Sequence, residues 1–286
     1  PPPPPPPICL PPPMVAALAV AGCFVFARLS HPTVPFHDYA LEELTDSGKV
    51  GLAVISQDGR YVVFTQSERG EQSLHIRQVV AGSTLQIQPA SKQHYQGLTF
   101  SQDGNYLFFT RREPAAAVST LYRISSLGGE PVKILDGVWS AVSFSPDGQR
   151  IAYLALDRSL TETQLMSTRL DGSDPRKLKV AKAPILITTD PGWSPDGKSI
   201  AIGVSTPGAQ GYRAAPVLVR ADGGAERTLG PARWAGILNH TWMPDSSAIL
   251  LIGATPGITT ATQIWHVPAS GAEPHAVTND VNAYTG

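Results

Sequence analysis

Phe144-Ser-Pro-Asp-Gly-Gln-Arg-Ile-Ala-Tyr153 and Trp193-Ser-Pro-Asp-Gly-Lys-Ser-Ile-Ala-Ile202 are two copies of one pattern. An apolar residue ends a hydrophobic run, a four-residue turn follows, and a second run begins. In the turn, Pro fixes φ near −65°, Asp bonds nearby backbone N–H groups, and Gly accepts positive φ. The second run is rich in β-branched and aromatic residues, as a buried strand requires.

Three further copies lie along the chain: Ile55-Ser-Gln-Asp-Gly-Arg-Tyr-Val-Val-Phe64, Phe100-Ser-Gln-Asp-Gly-Asn-Tyr-Leu-Phe-Phe109 and Trp242-Met-Pro-Asp-Ser-Ser-Ala-Ile-Leu-Leu251. The turn residues are Asp58, Gly59, Asp103, Gly104, Asp147, Gly148, Asp196, Gly197 and Asp245. Successive aspartates are 45, 44, 49 and 49 residues apart. A period of roughly 40–50 residues is that of a four-stranded propeller blade. In each unit a third strand ends in another Gly turn, such as Gly82, Gly128-Gly129 or Gly223-Gly224, and a short outer strand follows. The predicted fold is an all-β propeller of antiparallel four-stranded blades near 46–89, 95–138, 139–180, 189–230 and 238–280. Five blades are expected in an incomplete ring, with 40–45 as a closing strand and one short apolar helix ahead of the propeller.

Composition agrees. Charged residues are 16% of the 286 and hydrophobic residues 42%, against about 25% charged in typical soluble domains. A formal net charge of −1 argues against nucleic acid as a partner, because nucleic-acid-binding domains carry a basic excess. Both cysteines, Cys9 and Cys23, precede the repeats, so the propeller holds neither a disulfide framework nor a Cys-based zinc site.

The first forty residues differ in kind. Ten of the first thirteen are Pro, a composition that stays in extended polyproline II and reads as a stiff linker, 1–13. The run from Met14 to Ala27 carries no charge and is closed by Arg28. Counted from Ile8 it approaches the length of about 20 apolar residues that spans a bilayer, so 14–29 is predicted to be a transmembrane helix and 30–39 a juxtamembrane linker. A buried soluble helix is the plainer alternative. A third is lipidation, since Val20-Ala21-Gly22-Cys23 fits a short lipobox, although no Lys or Arg precedes the apolar run as a signal peptide requires. The Pro-rich start suggests that this sequence begins inside a longer polypeptide.

The Phe/Trp-Ser-Pro-Asp-Gly-x-x-Ile-Ala core resembles the repeat of TolB-like propellers, relatives of the WD-repeat fold whose rings usually have six blades. The resemblance covers about 41–286, with Gln57, Gln102 and Ser246 replacing Pro, Pro and Gly. A Pro-rich linker, one short span and the segments Gly48–Gly59, His94–Ser101 and Thr110-Arg-Arg-Glu113 also resemble the C-terminal half of membrane-anchored bacterial serine/threonine protein kinases. A sister architecture carries a winged-helix DNA-binding domain instead. That resemblance implies a non-catalytic sensor or interaction module, extracytoplasmic and membrane-anchored, meeting a protein or small-molecule ligand at a propeller face. Two alternatives are a periplasmic lipoprotein scaffold and the propeller domain of a prolyl-oligopeptidase-like hydrolase.

No chemistry-bearing motif competes with this reading. The seven histidines show no metal-ligand spacing, and neither a Gly-x-Ser-x-Gly elbow nor a phosphate loop occurs. One carboxylate per turn cannot supply the 6–8 oxygens of a calcium site, and the Asp171–Asp174 cluster reads as a turn. No catalytic residue, metal or cofactor is expected. Loops on a rigid scaffold often carry binding residues, which makes Tyr95, Trp139 and Trp234 candidates for a rim or channel surface, with blade-to-blade packing as the alternative for each.

Overall fold

The computed structural model describes Thr45 and residues 48–157, 161–209, 211–254 and 262–278. The predicted membrane helix 14–29, Cys23 and the proposed closing strand, apart from Thr45, lie outside the described residues. Among the described residues, no helix is long and apolar enough to cross a membrane.

The chain forms five antiparallel blades in sequence order, each built from consecutive strands. The first comprises Val50–Ile55, Tyr61–Glu68, Glu71–Gln78 and Thr84–Ser91, and the second His94–Phe100, Tyr106–Arg112, Thr120–Ser125 and Val132–Asp136. The third comprises Ser143–Phe144, Arg150–Leu156, Glu162–Arg169 and Arg176–Lys182. In the fourth, the inner strand is split into Leu186–Ile187 and Gly192–Trp193, both pairing with Ser199–Gly208. Gly211–Arg220 and Glu226–Thr228 complete it. The fifth comprises Gly236–Trp242, Ala248–Ala254, Thr262–Pro268 and His275–Ala276.

The repeated turn has one hydrogen-bond plan. In the first four blades the Ser hydroxyl donates to the turn aspartate: Ser56 to Asp58 at 2.7 Å, Ser101 to Asp103 at 2.5 Å, Ser145 to Asp147 at 2.5 Å and Ser194 to Asp196 at 2.7 Å. The same carboxylate accepts the backbone N–H two residues on, at 3.0–3.1 Å. The serine oxygen in turn accepts the N–H that opens the second strand, as from Tyr61 at 2.9 Å and Ser199 at 3.0 Å. Gly59, Gly104, Gly148 and Gly197 have φ between 66° and 76°, where a Cβ would be strained. The fifth turn departs. Met243 replaces Ser, so Asp245 is held by the Ser247 N–H and hydroxyl instead, and Ser246 takes φ 60° in place of Gly.

Second strands are buried on both faces where blades stand between neighbours: Leu107–Thr110, Ile151–Leu154 and Ile200–Ser205 are buried without a break. Four hydrophobic clusters fill the four seams between successive blades. Among the described residues, none joins the fifth blade to the first. Accordingly Ala248–Ala254 alternates buried and half-buried residues, the period-2 signature of a strand covered on one side, and on the first blade Leu52 and Ile55 are exposed.

Candidate functional site

All five inner strands converge on a central cavity of about 750 Å³. Their ladders share an irregularity. Register shifts fall between Val50 and Ala53, Tyr95 and Gly97, and Ile237 and Asn239. In the third blade, a lone bridge at Val138 is separated from Ser143–Phe144, and in the fourth the inner strand breaks between Ile187 and Gly192. Bulges re-aim side chains and recur beside functional sites. Here they fall on the cavity wall, which includes Leu52, Gln96, Ala141, Asp190 and Leu238.

Side chains complete the interrupted ladders. Ser140 Oγ accepts the Leu154 N–H at 2.8 Å, and Thr189 Oγ1 accepts the Gly203 N–H at 2.7 Å. The break in the fourth blade is therefore satisfied without Asp190, whose neighbour Pro191 has no N–H to give. Asp190 Oδ1 accepts one backbone bond across the seam, from Ala141 N–H at 3.1 Å.

Reading the repeats as columns isolates two residues. Six positions before the turn aspartate stand Leu52, Gly97, Ala141, Asp190 and Asn239; five before it stand Ala53, Leu98, Val142, Pro191 and His240. Asp190 is the only charged side chain on the cavity wall among the described residues. It offers surface to the channel yet is surrounded by the blades. This enclosure raises its carboxyl pKa, against the smaller opposing effect of the Ala141 N–H.

His240 sits on the same wall with its ring nitrogen Nε2 shielded and without a partner. Burial lowers its pKa to about 4, partly offset by a hydrogen bond to the Ala201 carbonyl. The ring is thus neutral at pH 7 and cannot act as a counter-ion. Its seat depends on Gly192, where an added Cβ would lie 2.8 Å from Nε2. Aromatic rings from Phe144, Trp193 and Trp242 complete this part of the wall, with Trp242 Nε1 donating to Gly192 O at 2.9 Å.

The three aromatic residues expected at a rim or channel do not come together. Tyr95 is buried in the first seam against Phe109, with ring centroids 5.5 Å apart, and its N–H donates to Gln72 Oε1 at 2.9 Å. Trp234 is 1% exposed in the fourth seam, edge-on to Trp265 at 5.6 Å. A bridge to Ala214 ties its backbone to the fourth blade. Both are packing residues: Tyr95 stands on the inner strand of the second blade, not in a connecting segment as its sequence suggests, and the segment that carries Trp234 wedges between blades. Trp139 alone stays accessible, at 38%. It lines a separate cavity of about 410 Å³ with Val118 and Leu156, and the Arg112 guanidinium lies 5.9 Å from its ring centroid. The nine turn residues form hairpin ends, as described above. Asp190 and His240 were not among the residues that the motifs singled out.

No protein-family model matches the chain, and no curated protein matches it. Solved structures do. A protein assigned as TolB from Agrobacterium tumefaciens is similar with a TM-score of 0.62 and 16% identity over 80% of each chain. TolB from Acinetobacter baumannii gives a TM-score of 0.62 and 12% identity, over 79% of this chain and 55% of its own. The β-propeller domain of the trilobed protease from Pyrococcus furiosus, described as having an open velcro topology, gives 0.55 and 14% over 79% and 70%. At these identities the likeness establishes fold: the described chain is a five-bladed β-propeller of the architecture seen in TolB.

Proposed function

We propose that this propeller is a non-catalytic binding module whose central cavity receives a protein or small-molecule ligand. The supporting observation is that all five inner ladders shift register or break at the cavity wall. The lining of that wall includes the aromatic residues Phe144, Trp193 and Trp242 and the carboxylate of Asp190, which has no ion-pair partner among the described residues. In this reading residues 14–29 anchor the module in a membrane, the propeller is extracytoplasmic, and the parent polypeptide is a bacterial signalling protein of the serine/threonine kinase type. The apolar run and Pro-rich linker support the anchor. The test is photo-crosslinking with p-benzoylphenylalanine placed at Leu52 or Leu238 on the wall and at Val80 or Leu127 on the exposed outer side. Adducts with a partner arising from the wall positions support the reading. Adducts confined to the outer positions refute it.

A second reading has the propeller gating a hydrolase domain in the same polypeptide. Its support is the likeness to a protease propeller domain. The complete open reading frame distinguishes the two: a kinase domain ahead of the Pro-rich segment favours the first, and a downstream Gly-x-Ser-x-Gly the second.

A further inference from the structure

We infer that Asp190 is the recognition residue of the central cavity and that it selects an alkylammonium cation; this rests on the binding-module reading above. Three observations lead there. The wall carries one formal charge and no Lys or Arg among the described residues. The fourth blade gives up its inner ladder over Thr189–Pro191, after the Thr188 N–H bond to Gly203 O, and Thr189 rather than Asp190 repairs it. Asp190 is therefore not needed to complete the ladder of its own blade, at the position where the other blades carry Leu, Gly, Ala or Asn, and its bond to the Ala141 N–H leaves most of the carboxylate free.

The chemistry of the ligand follows from what the wall lacks. Asp190 accepts one hydrogen bond among the described residues, from the Ala141 N–H, whereas a carboxylate can accept about four. The other titratable residue on the wall, His240, is held neutral by its surroundings. The remaining polar side chains are largely engaged: Thr99 donates to Val142 O at 2.8 Å, Ser143 Oγ accepts from Trp193 N–H at 2.8 Å, Asn239 Oδ1 accepts from His240 N–H at 2.7 Å, and Gln96 Oε1 accepts from the Ser119 hydroxyl. What the cavity needs is a positive charge bearing several N–H donors. Phe144, Trp193 and Trp242 also line the cavity, and aromatic quadrupoles attract ammonium groups. A primary ammonium on an alkyl stem meets both demands, whether it belongs to a free amine or to a lysine of a peptide.

The experiment uses the full chain and the fluorescence of Trp193 and Trp242, checked by titration calorimetry. Probes are n-butylamine, n-butanol, butyrate, the blocked peptide acetyl-Gly-Lys-Gly-amide and its Nε-acetylated form. We expect saturable binding of the amine at least tenfold tighter than of butanol or butyrate, and at least a tenfold loss in Asp190→Asn. The near-isosteric change keeps the fold, which circular dichroism verifies; the comparison of probes on the unmodified protein stands even if the variant does not fold. A blocked peptide that outbinds butylamine, and loses binding on acetylation, assigns the ammonium to a lysine; the reverse order assigns it to a free amine. Equal binding of butanol or butyrate, undiminished binding by Asp190→Asn, or no saturable response to either amine source overturns the inference. Saturable binding of the neutral or anionic probe, insensitive to Asp190, would remove the cation and leave the cavity as a binding site.

Discussion

The side-chain amide of Gln102 donates to the carbonyl of Ser145 at 2.8 Å, tying the hairpin turn of the second blade to that of the third. Gln102 stands where the third, fourth and fifth copies of the repeat have Pro, and the bond gives the departure a structural use. Ser145 O also accepts the Gly148 N–H at 2.8 Å, so it stays satisfied if the amide is lost. Gln102→Ala is expected to cost about 0.5–1 kcal/mol, the low end for a net hydrogen bond, measured by urea unfolding at unchanged m-value.

Close approach of the second and third blades depends on Gly97. An added Cβ there would lie 2.3 Å from the Cα and N of Ala141, and backbone cannot step aside as a side chain can. Gly97→Ala is expected to destabilise by about 3 kcal/mol or more, the upper part of the overpacking range. Gly59→Ala makes the contrast: φ is 70° with open space around it, so only the left-handed backbone penalty of roughly 1–2 kcal/mol applies. Chemical denaturation of the two variants side by side checks the order.

Acid should weaken the fold in two stages. His240 and His75 both have pKa values lowered by burial, His240 to about 4. Their neutral forms support the fold fully above the unfolded value near 6.5, and that support is lost as pH falls through the folded values. The turn aspartates are lowered chiefly by hydrogen bonds from neighbouring hydroxyls, Asp58 to about 2. Their contribution is present above about pH 4 and is lost as pH falls through the depressed values. The expected melting profile is flat above pH 7, declines gently from pH 6.5 and falls more steeply below pH 4. His240→Asn should flatten the gentle limb in part, with His75 retaining the rest.

Asp190 has the opposite sign. Its pKa is raised in the fold, so ionisation opposes folding once the pH passes the unfolded value near 3.8. Asp190→Asn is expected to raise the melting temperature of the unliganded protein at pH 7 and to have little effect at pH 3. Calorimetric scans at both values test this. A gain in stability on removing a wall residue is what a site kept for binding predicts.

The blades were legible because their signals are local. Ser145, Asp147 and Gly148 bond within one turn, so five residues of sequence determine the geometry and the period supplies the rest. Tyr95 and Trp234 could not be placed from sequence, since an aromatic residue at the start of an inner strand, like Tyr95, or in a connecting segment, like Trp234, reads the same whether it packs between blades or faces a ligand. Their burial depends on partners such as Gln72 and Trp265, which only the assembled ring brings near. Asp190 and His240 belong to no motif. Aligning the five copies by their turn aspartates and asking which residue breaks its column would have found both; searching for known catalytic patterns could not.

The shared fracture of the inner ladders separates two tasks that a continuous strand would join. Residues such as Ile200, Leu107 and Leu74 hold the seams from the second and third strands, while the cavity wall is lined from stretches where Thr189 or Ser140 completes the backbone pairing. Substitutions that alter what the bore accepts can therefore accumulate on one blade at a time while the rest of the rotor keeps its shape, and a single scaffold can be retuned to a new visitor without relearning how to fold.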